Sequence, residues 1–330
     1  MVDSVTLVGH QHQIETIARF ERSSQQKTFL LHGIEGIGKR TTAEHIAALA
    51  NCRHSYHLET VHEDLKKLKT CDCLSCGRWR AGSETHCLNI DFRNRDHRAI
   101  DFVRGIGSLA RKKEPGVIQK MVVLDNLQSL PRRTSDVLLK TIEESGIPFF
   151  LISSDIDAVT QTIRSRSVEV FFQPLSTQQV KQLALADELY LPEDVLEDLA
   201  SLSGGSISRL RDFAQSSVLQ LKEMLEEDVM EGMNIKLIQD IMTLIRDSSD
   251  LKIQKLRLVF LLAFLEEKMF NLLIGRDPLA YLDFSRKKSE VEKKVIFMSW
   301  KRNSLYRIDM LLRFWLATVY QVFPPHSPTL

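Results

Sequence analysis

Apolar and polar positions alternate along this chain in two distinct ways. In the first half, short apolar runs predict five strands, Thr28–His32, Leu88–Phe92, Lys120–Leu124, Pro148–Ser153 and Ser167–Phe172. These runs are nearly continuous, as expected of strands buried on both faces. Helical patterns fall between them, notably Lys39–Ala50, His97–Lys112 and Arg132–Glu144. Strands alternating with helices imply crossover connections and a largely parallel sheet with flanking helices. After Gln173-Pro174 the pattern turns helical throughout. Ser176–Ala186, Pro192–Leu202 and Ser206–Phe213 are predicted as short helices, with Gly204-Gly205 as a break. Longer amphipathic runs follow, ending in a stripe of Leu305, Ile308, Leu312, Trp315 and Val319 at three- and four-residue steps. Such a stripe predicts bundle core, with partner packing as the alternative. No internal repeat or low-complexity linker interrupts the chain.

Composition narrows the function classes. The 330 residues suit two or three domains, and 43% apolar content excludes disorder. Lysine and arginine number 44 against 43 acidic residues, a net charge of +1, which excludes coating nucleic acid by bulk charge. Local contact through Arg78, Arg80, Arg93, Arg95, Arg111, Lys112 and Lys113 stays open, the alternative being an ordinary solvated face. The most apolar stretch, Leu256–Leu273, carries Arg257, Glu266, Glu267 and Lys268, too charged to span a bilayer. No basic run precedes an apolar core at Met1-Val2-Asp3-Ser4, so no signal peptide is expected. All five cysteines lie between Cys52 and Cys87. An odd, clustered set predicts a reducing compartment and one local thiol site, hence a cytoplasmic protein without membrane partners.

The sharpest motif is Gly33-Ile-Glu-Gly-Ile-Gly-Lys39-Arg40-Thr41, between a predicted strand and a predicted helix. Gly33, Gly36 and Gly38 permit tight turns that aim backbone N–H groups and a helix N-terminus at an anion, and Lys39 would reach the phosphates. The pattern predicts binding of a nucleotide such as ATP, or descent from a protein that bound one. The residue after the lysine should carry the hydroxyl that holds Mg²⁺, yet it is Arg40. Thr41 lies about 100° further round the helix, which argues against magnesium. Met121-Val-Val-Leu-Asp125 predicts a strand ending in a metal-side carboxylate. Asn126 follows where a hydrolytic site needs a glutamate, and a neutral amide cannot take the proton of an attacking water.

Taken in order, the motifs resemble those of the AAA+ clamp-loader family over roughly the first 215 residues. Leu7-Val-Gly-His10 is similar to its opening box, followed by the phosphate loop, a cysteine insertion and Asp125. Leu138-Leu-Lys-Thr-Ile-Glu-Glu144, Phe149-Phe-Leu-Ile-Ser-Ser154 and Ile163-Arg-Ser-Arg-Ser167 resemble three further family segments. The resemblance implies that Arg166 is an arginine finger, reaching nucleotide bound by a neighbouring subunit and offsetting charge on the γ-phosphate. The alternative is a plain surface ion pair. Ser208, in Gly205-Ser-Ile-Ser-Arg209, falls where ATP-using members place an arginine.

Cys71-Asp-Cys73-Leu-Ser-Cys76, with Cys52 upstream, can supply four thiolates to a structural zinc ion. Related loader subunits carry such a module in the same place. Here Thr70 stands where their usual spacing has a cysteine, and His54, His57 and His62 are alternative ligands. Free thiols are the competing reading, and Cys87 is expected to be a separate buried thiol.

The resemblance therefore implies three domains: an α/β AAA+ core over 1–173 with a zinc-module-like insertion over 52–87, a small helical lid over 174–216, and an all-α collar for oligomerisation over 217–330. It implies a stator subunit that hydrolyses ATP poorly or not at all. Its partners would be motor and delta-like loader subunits and, through the complex, a sliding clamp and primed DNA. The rivals are an ATP-hydrolysing motor subunit and a stand-alone AAA+ ATPase of repair or protein remodelling.

Overall fold

A computed structural model describes residues 8–23, 28–54, 68, 70–82, 87–93, 103–106, 108, 112, 117–229, 240–241, 243–245, 251–273, 282, 285–286 and 289. The chain divides into two compact units. One comprises residues 1–190 with 204–208, and the other 191–203 with the remainder from 209. Residues 174–216 are thus shared between the two.

The first unit is built on α1 (Gln11–Ser23), β1 (Thr28–His32), α2 (Lys39–Ala50), α3 (Leu74–Arg80), β2 (Cys87–Asp91), β3 (Met121–Asp125), α4 (Arg132–Ser145), β4 (Phe149–Ser153), α5 (Gln161–Arg164), β5 (Val168–Phe171) and α6 (Thr177–Ala186). The strands form one parallel sheet in the order β2-β3-β4-β1-β5. The result is a five-stranded parallel α/β sheet with flanking helices.

Period-two alternation divides the core in two. Phe29, Leu31, Met121, Val123, Phe150 and Ile152 pack on one face with Ile37, Ala43, Ile46 and Ala47 around α2. Leu30, Val122, Leu124, Phe149 and Leu151 pack on the other with Leu138 of α4 and Ile163 of α5. The central strands β3 and β4 are therefore almost wholly apolar, because both their faces are covered, whereas the edge strands β2 and β5 admit Asn89 and Glu169. The elements follow the sequence pattern, with ends shifted by a residue where strand pairing rules. Thus β3 runs on to Asp125 because Asp91 of β2 is its register partner. All strands being parallel, β1, β2 and β3 end at one edge of the sheet. In open α/β sheets that edge is where ligands bind.

The second unit contains α7 (Glu193–Leu202), most of α8 (Ile207–Phe213), α9 (Ser216–Val229) and α10 (Leu251–Leu273). Phe213 meets Phe260 edge to face, with ring centroids 5.1 Å apart. The nearly buried Lys222 pairs with Asp198 at 2.9 Å. Among the described residues no helix is long and apolar enough to cross a membrane. The stripe from Leu305 to Val319 and most of the His97–Lys112 segment lie outside the described residues.

Candidate functional site

The phosphate loop leaves the end of β1 and enters α2 through left-handed glycines. Gly33, Gly36 and Gly38 have φ of 143°, 79° and 95°. Two of them also allow close approach. A Cβ on Gly33 would lie 2.3 Å from the Phe172 carbonyl oxygen, and one on Gly36 would lie 2.4 Å from Ser206 Oγ and 2.6 Å from Ser208 Cβ. Ser208 N donates to Gly36 O at 3.3 Å, so Ser208 lies directly against the loop.

The loop's polar groups are engaged within the chain. His10 Nε2 donates to Ile37 O at 2.7 Å, and its ring lies 4.7 Å from that of Phe172. Burial holds the His10 pKa below the usual histidine range. Lys39 Nζ donates to Gly33 O at 2.7 Å and Ile34 O at 2.6 Å. Burial lowers its pKa to about 8, against the pull of Asp125 and Glu35.

Arg40, next to Lys39 in α2, is half exposed. Its Nε donates to Glu44 Oε1 at 2.9 Å, and its Nη1 lies 4.0 Å from Asp125 Oδ2. Burial raises the Asp125 carboxyl, as does neighbouring Asp91, while the Asn126 N–H, Arg40 and Arg93 oppose them. Asn126 adopts φ 59°, and its side-chain amide donates to Asp91 Oδ1 at 2.9 Å and accepts from Gln128 at 3.1 Å. That amide is a structural tie and offers no base. Arg93 pairs with Asp91 at 3.2 Å and with Glu35 of the loop at 2.9 Å. Arg80 donates to Leu68 O at 2.8 Å, while Arg95, Arg111 and Lys113 lie outside the described residues. Ser153, at the end of β4, is fully buried and donates to Asp155 O at 2.7 Å.

A separate cluster forms beside α2. The sulfurs of Cys52, Cys71, Cys73 and Cys76 all lie within 4.8 Å of one another, with Cys52 Sγ 3.7 Å from Cys71 Sγ and 3.9 Å from Cys73 Sγ. A tetrahedral zinc with bonds of about 2.3 Å requires sulfurs about 3.8 Å apart. The donor set therefore fits zinc. Cys73 caps α3, its sulfur accepting from Cys76 N at 3.5 Å. His54 Nδ1 lies 3.1 Å from Cys71 Sγ, flanking the thiolate set. His57 and His62 lie outside the described residues. Burial pushes the Cys52 and Cys76 thiols up. At Cys71 burial is outweighed by bonds from the Cys73 N–H and His54, which draw that thiol to about 6. Ile14, Ala48, Leu49 and Leu68 pack around the sulfurs. Cys87 is apart, a buried thiol donating to Asn89 Oδ1 at 3.4 Å.

Little in the sequence pointed to Asn51, which closes the end of α2 just before this excursion. Fully buried, it donates to Ala47 O and Gln119 O and accepts from the Ile118 and Gln119 N–H groups, tying the end of α2 to the approach to β3. An asparagine just after a helix was the only signal, and its distant partners, Ile118 and Gln119, are 67 and 68 residues away.

Arg166 lies in the turn between α5 and β5. Its Nε donates to Glu143 of α4 and its Nη1 to Thr162 O at 3.4 Å. Lys39, Asp125 and the glycines thus gather at the sheet edge, the four sulfurs form a second site, and Arg166 belongs to neither.

A family model described as DNA polymerase III, delta subunit, matches residues 10–176, half of the chain. The chain belongs to that family. The DNA polymerase III delta' subunit of Pseudomonas aeruginosa is 31% identical to this family member over 56% of its length and 55% of the relative's. The DNA polymerase III tau subunit of Bacillus subtilis is 26% identical over 61% of this chain. The chain spans only 35% of the tau subunit's length. Among solved structures, a variant of Thermotoga maritima RuvB matches at a TM-score of 0.39 and 16% identity, covering 72% of this chain and 70% of RuvB.

Proposed function

We propose that this chain is a delta-prime-like stator subunit of a bacterial DNA polymerase III clamp loader. It acts in the cytoplasm with motor and delta-like subunits to load a sliding clamp on primed DNA. It supplies Arg166 to the nucleotide of a neighbouring subunit and hydrolyses ATP poorly or not at all itself. The observation that carries the reading is the pairing of Arg40 with Asp125. In this reading Arg40 brings its guanidinium to Asp125, the carboxylate expected to face the metal, and beside it Asn126 is tied to Asp91 rather than poised over water. The match of the delta-subunit family model supports the setting.

Two further assignments belong to this reading. Cys52, Cys71, Cys73 and Cys76 hold one structural zinc, which when bound cross-links an excursion with little core of its own. Four protein ligands leave no open position for catalysis. The domain plan is a core over 1–173, a lid over 174–216 and a collar over 217–330 that joins the subunits. The test is steady-state ATPase of the purified chain and of the reconstituted loader with primed DNA. The chain alone should be inactive, and Arg166→Ala should depress the complex. Turnover by the isolated chain near one per second, lost with Lys39→Ala, would overturn the stator role.

A further inference from the structure

The turn around Ile163–Ser167 holds two arginines in different ways. Arg164 is consumed by a fork: its Nε meets Glu169 Oε1 at 2.9 Å and its Nη2 meets Glu169 Oε2 at 3.2 Å. A bidentate pair of this kind leaves little of the guanidinium for another anion. Arg166 is held at its near end. Glu143 accepts from Nε and Thr162 O from Nη1, while Nη2 has no acceptor among the described residues. Both members of the pair are half exposed, with 48% of the Arg166 side chain and 53% of the Glu143 side chain open to solvent.

We propose that Glu143 is the positioning residue for Arg166. Its carboxylate fixes the stem of the side chain, so that the outer N–H groups are available to the phosphate oxygens of a nucleotide on a neighbouring subunit. The inference rests on the reading of Arg166 as a group acting in trans. The physical reason is preorganisation. A long, flexible arginine delivered to a transition state must give up its rotamer freedom, and a brace at Nε removes part of that freedom beforehand. Because the carboxylate engages Nε, the brace does not compete for the terminal nitrogens. The neighbouring Arg164–Glu169 fork ties the end of α5 to β5, which holds the turn that carries Arg166.

The test uses the reconstituted loader with primed DNA and clamp, carrying wild-type chain, Glu143→Ala, Glu143→Gln or Arg166→Ala. Glu143→Ala should lower kcat about two- to fivefold, with KM for ATP, assembly and melting temperature unchanged. Glu143→Gln retains a carbonyl acceptor for Nε and should return the rate to within about twofold of wild type. Should Glu143→Ala fail to assemble, Glu143→Met, of matching length, is measured in its place. A Glu143→Ala complex as fast as wild type or faster, with Arg166→Ala impaired, overturns the brace and leaves the role of Arg166 standing. Glu143→Gln as slow as Glu143→Ala also overturns it. Wild-type activity with Arg166→Ala removes the underlying reading, and the brace with it.

Discussion

The phosphate loop and the Arg166 turn carry the same kind of group, a cation suited to phosphate, in opposite circumstances. Lys39 is 6% exposed and gives its protons to two carbonyls of its own loop, while Arg40 faces Asp125. The loop is closed by His10, Ser208 and the Arg93–Glu35 pair. Arg166, by contrast, is half exposed and braced at one end. A buried cation satisfied within the chain serves the fold. One left with donors at the surface is suited to a partner.

The largest expected effect puts this contrast to work in the assembled loader. Arg166→Ala should cut DNA-stimulated ATPase about a thousandfold or more, whereas Lys39→Met should leave it within about twofold. The reverse pattern would break the comparison at its root. Next, the cysteine site should carry one zinc per chain, and Cys76→Ser should remove it. Melting of the variant should show a loss of roughly 3 kcal/mol or more, and elemental analysis finding no zinc in metal-replete wild type would end the assignment.

Burial of Lys39 predicts a pH signature. The unfolded ammonium keeps its proton to about pH 10.4, whereas the folded one releases it near 8. Unfolding therefore takes up a proton between these values, and stability rises with pH across that window by up to ~3 kcal/mol. Denaturant melts of Lys39→Met against wild type from pH 7 to 10 should show this component absent from the variant. Parallel curves would place Lys39 in solvent. The smallest effect concerns the loop's closure. Gly36→Ala forces a side chain into φ 79° beside Ser206 and should cost about 1–2 kcal/mol in the isolated chain. A neutral result would mean that the segment of Ser206 and Ser208 does not press on the loop.

Much of this was legible in the sequence, for a definable reason. Strands buried on both faces read as nearly unbroken apolar runs, so Thr28–His32, Met121–Asp125 and Phe149–Ser153 stood out most, and the edge strands less so, with ends displaced by a residue where pairing set the limit. The glycines, Lys39 and the cysteine spacing were equally plain, because their chemistry depends on short-range order. Arg166 was singled out from the motif order, but its contacts, and those of the neighbouring Arg164, were not legible. Which of them is forked to Glu169 and which is braced by Glu143 depends on residues five and 23 positions away.

The sequence by itself determined the parallel α/β core, the phosphate loop and the close spacing of Cys71, Cys73 and Cys76. Apolar periodicity and local spacing are properties of neighbours along the chain. Only the tertiary structure decided that Arg40 would meet Asp125, that Asn126 would tie to Asp91, that Asn51 would hold Ile118 and Gln119, that Cys52 would join Cys71 and Cys73, and that Glu143 would hold Arg166. Each of these joins side chains far apart in sequence, or the ends of different strands. Hydrogen bonds and ion pairs reach only about 3–4 Å, so such contacts exist only once the sheet has set its strand order and register.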